Sequence, residues 1–190
     1  MFRSIVLAAG LIAAPFSALA APWVLDKSHA HITFSVDHLG FSKTQGAFRE
    51  FDATIDFDPD NIEASSVSVT INTASIDTFF GKRDDHIRGG DFLNVGSFPE
   101  ITFVSTAISR TGDNTATVTG DVTILGTTNS VSFDAVLMKM GPSPFNPDKM
   151  VAGMKLTGEI DRTQFGIAYG APAIGAVIPV EIDLEMSPAQ

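Results

Sequence analysis

Apolar and polar residues alternate with a period of two through most of this chain, and this pattern constrains the fold more than any other feature. In one run the apolar residues Ile32, Phe34 and Val36 share one side, and their polar neighbours share the other. Successive side chains of a β-strand face opposite sides of the sheet, so each such run has one apolar face and one polar face. The pattern predicts an antiparallel sheet with one buried face.

About eight runs of this kind follow one another along the chain. They cover residues 31–38, 51–58, 66–72, 101–108, 116–125, 131–139, 150–160 and 178–186, with a short extra strand near 23–25. Turn residues at 111–114 and 126–129 predict hairpins between neighbouring strands. Eight long strands can close into a barrel, which removes both exposed edges. A two-sheet sandwich fits the alternation almost as well, so the pattern leaves both architectures open.

Three segments break the alternation. In the first, Asp77 or Thr78 is predicted to cap a short helix that ends at Gly89, with Asp84 and Arg88 at the i,i+4 spacing that supports a helix. Such an excursion between two strands can cover one end of a barrel. The other two segments are predicted to be loops, because one is rich in proline and one in glycine and alanine: residues 141–147 and 168–177.

The first twenty residues have the pattern of a secretory signal peptide. Arg3 precedes an apolar stretch at residues 5–14, and small residues at 18–20 predict cleavage after Ala20. We therefore expect a signal peptide over residues 1–20, one domain over residues 21–190 and a periplasmic location, with an uncleaved anchor as the alternative. After residue 20, 22 acidic residues outnumber 11 basic ones. This charge argues against nucleic acid as a partner and against adhesion to anionic lipid.

The histidines are the first candidates for chemistry. His29 and His31 share one face of a strand, which is usable metal-ligand geometry, but that face is polar and the sequence identifies no third ligand. Ordinary exposed histidines are therefore favoured over a metal-assisted hydrolase. The chain has no cysteine, which excludes thiolate metal sites. His38 has the parity of the apolar side, so it is expected to face inward, either as a hydrogen-bonded structural residue or against a ligand head group.

Residues 82–88 form a dense charged cluster on the predicted helix. The cluster has three interpretations: a solvated helix face, a polar collar around the head of an amphiphile, or acid–base catalysis by Asp84 or Asp85 with His86. No nucleophile elbow, phosphate loop or dinucleotide fingerprint occurs in the chain. We therefore predict no catalytic residues, no catalytic cofactor and no metal site.

The apolar composition allows either a packed core or a ligand tunnel. Thirteen phenylalanines follow residue 20, and with several methionines they would make smooth, adaptable walls. An eight-stranded barrel is just wide enough to fill itself or to hold one small ligand. Burial of a lipid tail gains about 0.8 kcal/mol per methylene, so a dry tunnel could retain a long chain.

Several ordered blocks between residues 23 and 185 resemble the YceI-like family of polyisoprenoid-binding, lipocalin-like periplasmic proteins. The blocks are Asp26-x-x-His29, residues 32–42, Gly46-x-Phe48-x-x-Phe51, residues 76–78, Arg83-Asp84-x-His86-Ile87-Arg88, residues 91–94, 98–106 and 120–128, and Arg162-x-x-Phe165-Gly166. Each block alone is weak evidence, whereas their order and spacing together are specific. The chain departs from the family pattern at Ala30, Gly89-Gly90, Leu125 and Phe79-Phe80, which leaves the identity and length of a ligand open.

The resemblance implies an all-β fold: an extended eight-stranded antiparallel lipocalin-like β-barrel with a short helical excursion. It also implies a bound isoprenoid lipid, quinone-like or prenyl-phosphate-like, and commonly a homodimer. Carried over by position, the head-group candidates are His38, Arg83, Asp84, His86 and Arg88. The candidates for the tunnel wall are Phe34, Phe48, Phe92, Phe103 and Phe165.

Two functions remain open from the sequence. One is binding, sequestration or transport of a long-chain apolar lipid inside the barrel. The other is an envelope interaction protein whose barrel is filled by its own side chains and whose partner is a membrane redox protein.

Overall fold

A computed structural model describes residues 21–189, and eleven strands of this range surround an apolar interior. The predicted signal peptide and its cleavage site lie outside the described residues. The strands are β1 (Ala21–Leu25), β2 (His31–His38), β3 (Ser42–Phe48), β4 (Phe51–Phe57), β5 (Ser66–Asn72), β6 (Ile76–Asp77), β7 (Glu100–Arg110), β8 (Thr115–Ile124), β9 (Thr127–Ser143), β10 (Asn146–Asp161) and β11 (Val177–Pro188). One α-helix, α1 (Gly81–Arg88), lies between β6 and β7. None of the helices in the described range has the length and apolar character that a membrane span requires.

Eight of the strands form a closed antiparallel barrel. They pair in the order β1-β4-β5-β7-β8-β9-β10-β11, and β11 pairs back with β1. The fold is therefore a barrel, as the family resemblance implies, and the alternative of a two-sheet sandwich is wrong. Closure pairs the strands that would otherwise leave exposed edges.

A branch from β11 completes the wall. The last residues of β11 pair with β1, whereas Val180 to Asp183 pair with β2. β2 continues into β3, and β3 pairs with the short β6, which leads directly to α1. We call the end that carries α1, the β2–β3 turn and the β10–β11 connection (residues 162–176) the helical end. The opposite end carries β1 and the β9–β10 turn.

The alternation predicts correctly which residues face inward. The apolar residues of β2, β4, β5 and β11 line the interior, while their polar neighbours lie on the outer surface. A cluster of buried side chains around Trp23, Phe57 and Met186 packs at the opposite end, where the indole and phenyl rings meet edge to face at 5.2 Å. A second cluster, which includes Ile76 and Leu93, packs beneath α1.

Two strand segments differ from the sequence prediction. β3 is a full strand although its residues do not alternate, because backbone hydrogen bonds to β2 hold it and its glycine and polar residues need no apolar partners. The predicted loop 141–147 is mostly strand, with a tight turn at residues 144–145. Pro142 and Pro147 are tolerated there because this part of the hairpin extends beyond the pairing with β8 and β11, and edge positions accept proline.

The hairpin turns are predicted closely. The β7–β8 turn lies at residues 111–114, as expected. The β8–β9 turn consists of Leu125 and Gly126, one residue earlier than predicted, and both have positive φ, 51° and 73°. Positive φ at both central positions is the requirement of a type I′ turn, whose twist matches that of the flanking strands.

The helix ends where predicted but begins later. It stops at Arg88 before Gly89, whereas its first residue is Gly81 and no side chain caps it. The predicted cap at Asp77 or Thr78 is therefore wrong, because both residues are engaged before the helix begins. The Asp77 carboxylate accepts a hydrogen bond from the N–H of Phe79, and Thr78 bonds to the Asp84 carboxylate.

Candidate functional site

A cavity of about 430 Å³ occupies the interior of the barrel. This volume lies within the range of about 300–1,000 Å³ that is typical of small-molecule sites. Most of the side chains in its wall are apolar, and eight polar residues line it as well. These are Asp37, His38, Thr44, Thr78, Arg83, His86, Arg162 and Tyr169. The side chains of the barrel therefore do not fill its interior.

Three phenylalanine rings in the wall lie against glycines of a neighbouring strand. The pairs are Phe34 with Gly46, Phe103 with Gly120, and Phe133 with Gly158. A Cβ atom on each glycine would fall 2.3–2.5 Å from a ring atom, so only glycine leaves room for the ring. The three glycines thus leave room for large rings to pack directly against the backbone of the wall.

The polar residues of the cavity come from the segments that form the helical end. His38 ends β2 and forms a bridge with Ile174 of the β10–β11 connection. His86 of α1 lies edge-on to the ring of Tyr169 in the same connection, at 5.2 Å between centroids. The cavity therefore has an amphipathic character, with polar groups gathered at the helical end and an apolar wall elsewhere.

His86 also bonds to Asp91 and packs against Phe92. Its Nε2 lies 3.0 Å from a carboxylate oxygen of Asp91, and the rings of His86 and Phe92 meet edge to face at 5.1 Å. The imidazole is about half exposed, so it lies between the cavity and solvent. A ring in this position can offer one polar atom to a ligand head group.

Thr78 is hydrogen-bonded to two charged residues of the helix, Arg83 and Asp84. The buried Asp84 carboxylate accepts bonds from the Thr78 N–H and hydroxyl, at 2.8 and 2.5 Å. Arg83 donates from Nε to the same hydroxyl and from a terminal nitrogen to the Thr78 carbonyl. Asp84 thus fixes the helix to the segment that precedes it. Arg83 is held by its hydrogen bonds to Thr78, and it also lines the cavity.

Arg162 is buried in the wall and holds the β10–β11 connection. Its guanidinium donates to the carbonyl oxygens of Ile167, Ile174 and Gly175 at 2.7–2.9 Å. Burial lowers the pKa of Arg162 below its ordinary value, although the nearby Asp161 opposes that shift. An arginine remains charged in proteins, so this side chain is a fixed cation that shapes one side of the helical end.

The structure brings most of the predicted site residues to one cavity. Three head-group candidates line it, His38, Arg83 and His86, and so do four wall candidates. Those four are Phe34, Phe48, Phe92 and Phe103.

Three predicted site residues do not line the cavity. Asp84 is buried against Thr78, and Arg88 donates to the carbonyl oxygens of Ala74 and Ile76 at 2.9 and 2.7 Å. Phe165 is 2% exposed and belongs to the cluster beneath α1. Whether any of the candidates touches a ligand stays a prediction.

Sequence reasoning missed Arg162, Tyr169 and Phe133 as cavity residues. Arg162 could have been found, because it continues the inward parity of Leu156, Gly158 and Ile160 along β10. Tyr169 lies in an irregular connection, where no periodicity indicates direction.

A separate polar group lies outside the barrel, where Asp26, His29 and Glu185 place ligand atoms within 4.8 Å of one another. His29 Nδ1 lies 3.1 Å from Asp26 and 4.0 Å from Glu185, and His31 is outside this group. Hydrogen bonds from Ser28 and His29 lower the pKa of Asp26 to about 2, and Asp26 raises the pKa of His29 above 6.5. The contact of His29 with Glu185, together with the bond from the Asp26 N–H to the Glu185 carbonyl, links β11 to the turn before β2.

The shifted pKa values of Asp26 and His29 predict a pH dependence of stability. Because the folded pKa of Asp26 is depressed, its stabilisation is present above pH 3.8 and is lost as pH falls towards 2. Because the folded pKa of His29 is raised, its stabilisation is present below pH 6.5 and is lost as pH rises through the folded value. We expect Asp26→Asn to flatten both limbs of a plot of unfolding free energy against pH. An unchanged plot for the variant would contradict this account.

The fold and the chain are similar to known proteins. The YceI-like domain family model matches residues 23–186. The Protein YceI of Escherichia coli is 40% identical over 168 residues, which cover 87% of this chain and 83% of that protein. BcnA of Burkholderia cenocepacia has a crystal structure with a TM-score of 0.76 and 25% identity, covering 85% of this chain and 98% of that one.

A third similarity concerns the fold alone. A polyisoprenoid-binding domain from Saccharophagus degradans, implicated in plant cell wall breakdown, matches with a TM-score of 0.65 at 12% identity. The match covers 90% of this chain and all of that domain. With the family match over nearly all described residues and a relative at 40% identity, the comparisons confirm the resemblance seen in the sequence: this chain belongs to the YceI-like domain family.

Proposed function

We propose that this protein is exported to the periplasm, where it binds and carries one long-chain isoprenoid-type lipid without catalysing a reaction. The observation that carries this proposal is the amphipathic cavity: an apolar interior of about 430 Å³ with its polar residues gathered at the helical end. An apolar chain in such an interior gains about 0.8 kcal/mol for each buried methylene. The polyisoprenoid binding of the Saccharophagus domain supports this choice of ligand class.

The engagement of the arginines favours a quinone-like head group over a prenyl phosphate. A phosphate needs charged donors that are free to bond it. Arg88 donates to Ala74 and Ile76, and Arg162 donates to three carbonyls. Arg83 lines the cavity, but its Nε and one terminal nitrogen are bonded to Thr78. A quinone carbonyl needs only one donor, which His38, His86 or Tyr169 can supply.

The partner-binding alternative loses part of its basis, because it assumed a barrel filled by its own side chains. A membrane redox partner and a homodimer stay predictions, and both are compatible with a loaded barrel. Binding of lipid and delivery to such a partner would then be successive steps of one role.

A cavity-blocking substitution tests the proposal. Val69 of β5 faces the cavity, and the next residue, Thr70, faces solvent. We expect Val69→Trp to weaken binding of a long-chain ubiquinone about tenfold or more, because displacement of two methylenes from the cavity costs about 1.6 kcal/mol. The readout is equilibrium binding of detergent-delivered ubiquinone.

The matched control is Thr70→Trp, which adds the same side chain to the outside of the same strand. It should bind ubiquinone as the unmodified protein does. Thermal unfolding of both variants shows that each is folded. Equal binding by the two tryptophan variants would place the lipid elsewhere and refute the proposal.

A further inference from the structure

Four large apolar side chains project into solvent at the helical end. They are Leu39 and Phe41 in the β2–β3 turn and Phe79 and Phe80 before α1, which we call the rim residues. Their exposed fractions are 50%, 89%, 73% and 56%. Phe79 and Phe80 are neighbours in the chain, and Leu39 and Phe41 lie in one turn, so these exposed apolar side chains are not scattered singly over the surface.

The rim residues adjoin the cavity in sequence and in space. Leu39 follows His38, and Phe79 follows Thr78, and both of these preceding residues line the cavity. The Arg83 guanidinium, another lining group, lies 5.8 Å from the centre of the Phe80 ring. A surface that contacts the rim therefore also lies next to polar residues of the cavity.

Two of the rim residues have strained backbone conformations. Leu39 and Phe79 have φ of 58° and 65°, in the left-handed region that residues with a side chain rarely adopt. Hydrogen bonds fix both: the Leu39 N–H donates to the Ala173 carbonyl, and the Phe79 N–H donates to Asp77. Strain of this kind persists where the surrounding structure enforces it, and it clusters at functional sites.

The charge of the rim segments identifies what can approach them. Residues 37–44 and 77–91 carry five acidic and four basic residues, so they are almost neutral, whereas the rest of the chain after residue 20 is strongly acidic. Lys43 and Lys82 follow Phe41 and Phe80, respectively, by two residues in the chain. A nearly neutral surface with exposed apolar side chains suits the headgroup region of a bilayer without requiring anionic lipid.

We propose that the rim residues insert into the interface of a lipid bilayer and bring the polar end of the cavity against the membrane. This inference rests on the proposed function, because it describes how an isoprenoid lipid passes between bilayer and cavity without crossing water. Exposure of a long apolar tail to water is unfavourable in proportion to its area, and direct contact with the bilayer avoids that barrier.

The chain offers a matched control at the opposite end. Phe145, at the tip of the β9–β10 hairpin, is 99% exposed, comparable to Phe41, but it is remote from α1 and the β2–β3 turn. Loss of a phenylalanine there removes the same apolar surface without touching the rim. Any general effect of losing one exposed phenylalanine would appear equally in Phe145→Ser and in the single variant Phe41→Ser.

The first experiment is flotation of the unmodified protein with vesicles of phosphatidylcholine, with and without phosphatidylglycerol. We expect the protein to float with both, and the double variant Phe41→Ser/Phe79→Ser to lose about tenfold or more in vesicle affinity. Phe145→Ser should float as the unmodified protein does. The inference is overturned if the unmodified protein does not float, or if Phe145→Ser loses as much vesicle affinity as the single variant Phe41→Ser.

The second experiment separates this inference from the proposed function. Ubiquinone is supplied either in detergent micelles or in phosphatidylcholine vesicles. The double variant should bind the same final amount from micelles but load more slowly from vesicles. Equal loading rates from vesicles would overturn the inference and leave the cavity proposal intact, whereas no binding from micelles by any form would overturn the proposed function. A double variant that changes only the oligomeric state in sedimentation would assign the rim to a second copy of the chain, against our inference.

Discussion

Replacement of Arg162 by methionine should lower the free energy of unfolding by about 3–5 kcal/mol. The guanidinium makes three charge-assisted hydrogen bonds to the carbonyls of Ile167, Ile174 and Gly175, and it is 4% exposed. Methionine retains the apolar stem but leaves these carbonyls without their donors, and each lost bond of this kind costs about 1.5–3 kcal/mol before partial relaxation. Chemical denaturation measures the loss.

The same variant should loosen the helical end. The β10–β11 connection carries Tyr169 and Ile174 into the cavity wall, so its release would raise the rate of limited proteolysis between residues 162 and 176. Arg49→Met is the control, because Arg49 makes an exposed pair with Asp77 at 2.8 Å that contributes less than about 1 kcal/mol. If Arg162→Met lowers the free energy of unfolding by no more than the control does, then water replaces the three hydrogen bonds and the prediction is wrong.

Replacement of Gly120 by alanine should destabilise the barrel by about 2–3 kcal/mol. A Cβ at this position would lie 2.5 Å from the Phe103 ring and 2.5 Å from the Val104 carbonyl oxygen. The ring could rotate, but the carbonyl belongs to the backbone of β7 next to a register shift at Ser105, so the strand itself must move. Overpacking of this kind costs about 1–3 kcal/mol.

Gly46→Ala is the informative comparison. Its Cβ would overlap the tip of the Phe34 ring at 2.3 Å, and Phe34 is a side chain that borders the open cavity. The ring can swing into that space, so we expect a loss of stability of about 1 kcal/mol or less and weaker ubiquinone binding. Denaturation and binding measured on both variants separate the two effects. Equal destabilisation by the two substitutions would mean that the ring cannot move into the cavity.

The regular part of the fold follows from local chemistry. Alternation along β2, β4, β5 and β11 indicates which side chains face inward, because a strand has only two faces. The closure of the strands into a barrel does not follow from it, since a sandwich buries the same residues. The family resemblance supplied that choice, and the pairing of β11 with β1 confirms it.

The candidate site is less predictable because side chains near helices and turns have no fixed parity. The sequence predicts Asp84 to be a charged residue of the helix surface. Its carboxylate instead bonds to Thr78, and the residue is 6% exposed. Phe165 follows β10, but the chain has left the strand for a 3-10 turn, so the ring packs beneath α1 and does not reach the cavity. Arg162 keeps the strand parity and could have been assigned from it.

The strand β3 shows a further limit of pattern reasoning. Its residues carry no apolar alternation, and its position is fixed by backbone pairing with β2 and by the contact of Gly46 with Phe34. Both features depend on how β3 pairs with β2, and the pattern of residues within β3 does not indicate that pairing. Sequence periodicity indicates which side chains are buried. A strand that is held mainly by backbone hydrogen bonds therefore has little periodicity to detect.

The central claim, an isoprenoid lipid inside the barrel, is tested most directly by native mass spectrometry of protein purified from the periplasm without detergent. The intact complex is weighed first, and its organic extract is then analysed. We predict one long-chain isoprenoid lipid for each chain, with a quinone-like head group. An apoprotein that stays empty after incubation with isoprenoid lipids would contradict the claim.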